Sequence, residues 1–102
     1  MKAYRFHEEA DQEFQEHIGY YLGQSRSAAE RFVIEVATAV RGIREYPESG
    51  SPISRRVRQV VLNDFRFSVL YVDTPAEIII VAVAPHRRRP GYWRKRLRNL
   101  SR

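Results

Sequence analysis

Apolar residues in the first part of the chain recur at the spacing of an amphipathic helix. Between residues 7 and 22 they are Ala10, Phe14, Ile18, Tyr21 and Leu22, and the acidic residues are predicted on the opposite face. A glycine at position 23 predicts the end of this helix. Residues 3–7 alternate between apolar and polar side chains and predict a short strand before it.

A second helix is predicted between residues 27 and 46. Ser27 and Glu30 have the spacing of a capping box, in which the hydroxyl and the carboxylate each accept a backbone N–H at the start of a helix. Tyr46 should end the helix because a proline follows it. The connection between the two helices is short, so we expect an antiparallel helical hairpin. The predicted apolar stripe of the second helix comprises Ala29, Phe32, Val33, Val36, Val40 and Ile43.

The pattern changes to that of a β-sheet after a loop predicted at residues 48–52. Residues 56–62 form a β-rich run, and residues 65–72 alternate so that Phe65, Phe67, Val69 and Tyr71 share one face. Residues 77–84 are apolar on both faces, which is typical of a central strand. The order strand, two helices, three strands and a basic tail predicts a single α+β domain over residues 1–102. In it the helical hairpin packs on one face of a mostly antiparallel sheet.

Charge is distributed very unevenly along the chain, whose formal net charge is +6. Residues 1–48 carry nine acids against six bases, whereas residues 49–102 carry twelve bases against three acids. No acid follows position 77, so the cations of the basic tail, residues 86–102, are expected to lack local partners and to face water or a polyanion.

Two groups of cations are candidates for binding an anion. The first is Arg56 and Arg58, which would share one side of a strand, with Arg66 expected across from them on the next strand. Guanidinium groups match phosphate oxygens in a forked geometry. An alternative interpretation, to which we give equal weight, is that these arginines only keep the edge of the sheet soluble.

The second group is the tail, where aromatic rings alternate with arginines. That combination suits stacking on bases together with neutralisation of phosphates, although Trp93 alone is more typical of a residue that closes the core. We expect both groups to converge beside Trp93 in one pocket for a polyanion. The tail residues predicted to contact a target are Arg87, Arg88, Arg89, Tyr92, Trp93, Arg94 and Arg96.

The sequence argues against several other classes of chemistry. Cysteine is absent, which removes disulfides and thiolate chemistry and suits a cytoplasmic protein. The three histidines have no partner at recognised metal-ligand spacing, so we predict neither a metal nor a cofactor. No segment is long and apolar enough to predict a membrane span. His86, beside three arginines, is a candidate proton carrier or an ordinary turn residue.

These motifs resemble the RelE/ParE toxin superfamily of bacterial type II toxin–antitoxin modules, and especially its ParE-like, plasmid stabilisation arm. The resemblance spans nearly the whole chain and is most specific where Ile80-Val-Ala-Val-Ala84 runs into Arg88-Arg-Pro-Gly-Tyr-Trp93. Two positions depart from the family pattern. The family usually has the motif F-P-Y where this chain has Phe65-Arg66-Phe67, so an arginine replaces the proline and a phenylalanine replaces the tyrosine. The family also commonly has a histidine directly after the V-A-V-A strand, whereas this chain has Pro85 there and His86 one position later.

The resemblance implies a toxin that arrests growth by acting on a nucleic-acid-associated target, with DNA gyrase favoured. The alternative is ribosome-dependent mRNA cleavage of the RelE type, in which Arg58, Arg88, Tyr92 and His86 would be catalytic. This chain lacks the lysines that such cleavage usually places on the middle strands, which favours the ParE-like side. An inactive relative that serves as a binding module is a third alternative.

The resemblance also implies a partner, a cognate acidic antitoxin that wraps over the toxin and silences it within a hetero-oligomer. The basic second half of the chain would steer such a segment electrostatically.

Overall fold

The computed structural model describes residues 1–98 and Leu100 and has the predicted α+β architecture. Asn99, Ser101 and Arg102, which belong to the predicted basic tail, lie outside the described residues. One strand precedes two helices, four strands follow them, and a 3₁₀ helix ends the described chain. The elements are β1 (Tyr4–Phe6), α1 (Glu8–Leu22), α2 (Arg26–Glu45), β2 (Ser51–Pro52), β3 (Val57–Val61), β4 (Phe67–Asp73), β5 (Ile78–Pro85) and the 3₁₀ helix Arg94–Leu97.

The sequence predicted both helices, but it misplaced the start of the second. Ser25, not Ser27, is the N-cap, because its extended backbone lets the hydroxyl accept the N–H of Ala28 at 3.0 Å. Helix α2 therefore begins two residues early, and it ends at Tyr46 as predicted. Leu22, predicted on the buried stripe, is instead 55% exposed. Neither helix is long and apolar enough to cross a membrane.

The five strands form one sheet in the order β1-β5-β4-β3-β2. Of the four strand pairs in the described part of the chain, the β1–β5 pair alone is parallel, so the sheet is mostly antiparallel, as predicted. The short strand β2 lies within residues 48–52, which were predicted as a loop, because Ser51 and Pro52 pair with β3. Strand β5 has a neighbour on either side and is buried along its whole length, which explains why it is apolar on both faces.

One extra residue in β5 changes which side chains face the helices. Leu70 lies opposite Ala82 and Tyr71 opposite Ile80, so Val81 has no counterpart on β4. Such a bulge breaks the strict alternation of a strand. Val81 and Ala82 consequently both pack on the side of the sheet away from the helices, whereas Ile80 and Val83 pack towards the helices.

The sheet is covered on both faces, by different parts of the chain. The helical hairpin covers one face through Phe32, Val36, Val40 and Ile43. The other face packs against the tail through Trp93, Leu97 and Leu100. The tail is therefore a structural layer of the domain and closes a second hydrophobic cluster.

Gly50 and Gly42 form a matched pair for testing the packing around Tyr71. A Cβ at Gly50 would lie 2.6 Å from the buried Tyr71 hydroxyl, whereas a Cβ at Gly42 in α2 meets nothing within 4 Å. Gly50→Ala should lower the free energy of unfolding by about 1–3 kcal/mol through overpacking. Gly42→Ala should raise it by about 0.5–1 kcal/mol because alanine favours the helix. Urea unfolding followed by Trp93 fluorescence measures both, and a change of the same sign in the two variants would contradict this packing.

Candidate functional site

Strand β1 covers only the first part of β5, which leaves the backbone of the second part without a neighbouring strand on that side. Their pairing ends at Phe6 and Ile80. Beyond that point the N–H of Val83 donates to Glu13 Oε1 at 3.0 Å, and the carbonyl of Val81 accepts from Arg96 Nη1 at 2.9 Å. Two side chains thus replace a missing strand and satisfy backbone groups that would be costly to bury unpaired.

The Glu13 carboxylate is the centre of this arrangement. It accepts hydrogen bonds from the Tyr92 hydroxyl at 2.5 Å and from Arg96 Nη1 at 3.0 Å, in addition to the Val83 amide. The side chains of Glu13 and Arg96 are 8% and 10% exposed, so the ion pair is largely shielded from water. Burial, together with the hydrogen bond to the carboxylate, raises the pKa of Tyr92 and keeps its hydroxyl a donor.

This network corrects two predictions from the sequence. Glu13 is buried between α1 and β5 and does not lie on the exposed face of its helix. Arg96, predicted to lack a local partner, is instead paired with Glu13 and reaches Glu9 Oε1 at 3.7 Å. The partner comes from α1, far away in sequence, because the tail folds back towards that helix.

A cavity of about 350 Å³ lies between the tail and the outer face of the sheet. Its sheet wall carries Gln59, Ser68 and Leu70, and none of the sheet residues that line it is cationic. Ser68 Oγ lies 3.0 Å from His86 Nε2, which fixes the imidazole against the wall. The cationic groups of the cavity come from the tail and are Arg88, Arg89 and Arg94, all exposed.

Two tail guanidinium groups are stacked on aromatic rings. The Arg88 guanidinium lies 3.9 Å from the Tyr92 ring centroid, and that of Arg94 lies 5.1 Å from the Trp93 ring. Such stacking restrains a guanidinium while its N–H donors stay available at the edge. Trp93 itself is only 4% exposed, so its indole packs in the second cluster and is largely inaccessible for stacking on a ligand.

Arg87, another cation of the tail, is exposed and lies near His17 of α1. There the ring of His17 lies edge-on to Phe67, with centroids 4.7 Å apart, and its Nε2 is buried with no hydrogen-bond partner among the described residues. Burial lowers the pKa of His17; the Glu13 carboxylate opposes this shift and the Arg87 guanidinium adds to it. A neutral imidazole is therefore favoured beside the tail cations.

The sheet arginines do not join this cavity, and the prediction of one convergent pocket is wrong. Arg58 pairs with Tyr71 on the helix side of the sheet, where its Nη1 donates to the carbonyls of Glu48 and Gly50. Together with Arg55 and Arg56 it lines a separate cleft of about 490 Å³ near the far end of β4. At the usual rise of about 3.3 Å per residue, the length of β4 separates the cleft from the start of the tail by about 20 Å.

Arg66 is also placed differently from the prediction. It lies at the turn before β4, and its carbonyl accepts the N–H of His86 at 2.9 Å. It is therefore close to the start of the tail and not across from Arg56 and Arg58. The physical reason is the antiparallel register, in which Arg58 lies opposite Tyr71 and the turn comes between Val61 and Phe67.

Together the fold and this site define a small α+β protein in which a cationic tail is fixed to the free edge of a central strand. Residues 4–90 match the family described as "ParE toxin of type II toxin-antitoxin system, parDE". The chain therefore belongs to the ParE toxin family, as its sequence indicated. The match ends before Tyr92, Trp93 and Arg96.

A solved structure supports the fold assignment. A chain of the "Chromosomal ParDE TA system from P. aeruginosa" is similar to this chain with a TM-score of 0.71, covering 83% of this chain and 96% of that chain. The two are 17% identical in sequence, so the similarity concerns the fold alone. A search of curated protein sequences gives no significant match.

Replacing the buried carboxylate tests the network directly. Glu13→Ala should lower the free energy of unfolding by about 3–5 kcal/mol, because it leaves the Arg96 charge and the Val83 amide buried without their partner. Glu16→Ala, which removes an exposed carboxylate from the same helix, should change it by no more than about 0.5 kcal/mol. Glu13→Gln should fall between them, since an amide oxygen can still accept from Val83. Urea denaturation measures all three, and equal effects of Glu13→Ala and Glu16→Ala would contradict the arrangement.

Proposed function

We propose that this protein arrests bacterial growth by binding DNA gyrase through the exposed cations of its tail, and that an acidic antitoxin neutralises it. Membership of the ParE toxin family supports the toxin class. The observation that carries the choice of target is the neutral sheet wall of the tail cavity, with Gln59 and Ser68 where cleavage chemistry would need cations. The contact residues we propose are Arg87, Arg88, Arg89 and Arg94. A gyrase target implies a cytoplasmic protein.

RNA cleavage requires cationic groups and a proton carrier around a single scissile phosphate. Of the four residues that cleavage would use, His86 and Arg88 line one cavity with Tyr92, whereas Arg58 lies in the other cleft. The Tyr92 hydroxyl already donates a hydrogen bond to Glu13, and Arg58 Nη1 already donates hydrogen bonds to two backbone carbonyls. This division favours a toxin that binds its target over one that cleaves RNA.

The same exposed cations offer an attachment for the antitoxin. None of the described carboxylates lies within salt-bridge distance of Arg87, Arg88, Arg89 or Arg94. An acidic segment would gain from pairing with them and would cover the surface that gyrase needs. The resulting toxin–antitoxin hetero-oligomer would be inactive because its gyrase-binding surface would be covered.

Expression and two cell-free assays test the proposed target. Expressed without its antitoxin, the protein should arrest growth, and the purified protein should inhibit gyrase or leave broken DNA in a gyrase reaction. Arg88→Ala/Arg89→Ala should weaken both effects at least about 10-fold, as expected for the loss of two charged contacts. Arg26→Ala/Arg41→Ala removes the same charge from exposed positions of α2 and is the matched control.

Three results would contradict the proposal. Transcripts cleaved in a translation extract, with gyrase unaffected, would identify a ribonuclease. Harmless overproduction together with unaffected gyrase would indicate an inactive binding module. Equal losses in the two double variants would mean that overall charge, and not the tail, matters.

A further inference from the structure

The separate cleft at the far end of β4 has a cationic character of its own. Arg55, Arg56 and Arg58 line it on one side, and Asp73, Thr74 and Pro75 of the β4–β5 turn line it on the other. Arg55 and Arg56 are exposed, and no described carboxylate lies within salt-bridge distance of either. Their charges are therefore available to a ligand.

Two features hold the cleft in shape and limit its negative charge. Arg58 Nη1 is fixed by the Gly50 carbonyl at 2.8 Å and the Glu48 carbonyl at 3.1 Å, which orients the guanidinium. Asp73 is paired with Lys2 Nζ at 2.5 Å, so its carboxylate is neutralised from outside the cleft. Glu48 is the other acidic residue in the lining of the cleft, which contains three arginines.

The chemistry of the lining indicates what kind of ligand it takes. The exposed guanidinium groups of Arg55 and Arg56 present forked donors, the geometry that matches phosphate oxygens, and Arg58 adds a fixed positive charge beside them. A protein partner needs a central apolar anchor, but the apolar lining here is limited to Val72, which is 4% exposed, and Pro75. Nucleic-acid backbones are bound through phosphate contacts without such an anchor.

We infer that the cleft formed by Arg55, Arg56 and Arg58 is a second anion site, which binds the phosphate backbone of nucleic acid. It lies near the Asp73 end of β4, whereas the tail cavity is lined by Ser68 and Leu70 from the other part of that strand. The inference does not depend on which target the tail binds. It gives the protein a sequence-independent contact with DNA or RNA beside its target.

Salt-dependent binding of a fluorescent DNA duplex of about 20 base pairs, followed by anisotropy, tests this inference. Arg55→Ala/Arg56→Ala should weaken binding about 10-fold near 0.1 M salt. It should also reduce the slope of log K against log salt by about 1.8, because each lost phosphate contact removes about 0.9. Arg55→Lys/Arg56→Lys, which keeps the charge and loses the fork, should largely retain the slope and bind with intermediate affinity.

The matched control is again Arg26→Ala/Arg41→Ala, which removes two exposed positive charges from α2. It should leave both the affinity and the slope within about twofold of the parent protein, and circular dichroism should show all variants folded. Equal losses in the two alanine pairs, or unchanged binding in Arg55→Ala/Arg56→Ala, would overturn the inference. Growth arrest by Arg55→Ala/Arg56→Ala alongside unchanged DNA binding would reject the second site while leaving the toxin assignment intact.

Discussion

The buried Glu13 carboxylate is the constraint on which the rest of this structure depends. Strand β1 ends too early to complete β5, and a carboxylate from α1 and a guanidinium from the tail take over its hydrogen bonds. A buried ion pair is costly to desolvate and adds little stability by comparison with apolar packing. Its value here is geometric, because a single carboxylate fixes the helix, the central strand and the tail relative to one another. One of these backbone groups, the carbonyl of Val81, belongs to the bulged residue of β5.

Fixing the tail determines how its charges are presented. Arg96 and Tyr92 are held inside by Glu13, and Trp93 is buried on the sheet. The neighbouring arginines consequently belong to a segment that is anchored to the sheet and to α1, and such anchoring lowers the entropy lost on binding. The sheet arginines form a different cationic surface, so the strongly basic second half of the chain is divided between two sites.

Local patterns were sufficient to predict most of the fold. Helical spacing, alternation and an apolar run identified both helices and the three long strands, because each depends mainly on burial of neighbouring residues. Strand β2 was missed because two residues carry no periodic signal. The order of these elements was sufficient to predict a helical hairpin on one face of a mostly antiparallel sheet, whereas the order of the strands in that sheet was not predicted.

The site was less predictable, since it depends on register and on contacts distant in sequence. Arg58 and Arg66 were expected to face each other, and only the position of the turn shows that they cannot. Glu13 did give a signal: it lies three residues after Ala10 and next to Phe14, at the margin of the apolar stripe. Its partner Arg96 lies 83 residues away, and no local pattern relates the two.

Amide hydrogen exchange of Val83, measured by NMR on the unmodified protein, tests the central claim most directly. On the side of β5 facing α1, only the Glu13 carboxylate protects this N–H in the structure described here. The account predicts that Val83 exchanges as slowly as amides paired between β4 and β5. Rapid exchange of Val83 at neutral pH, while its neighbours in β5 stay protected, would contradict it.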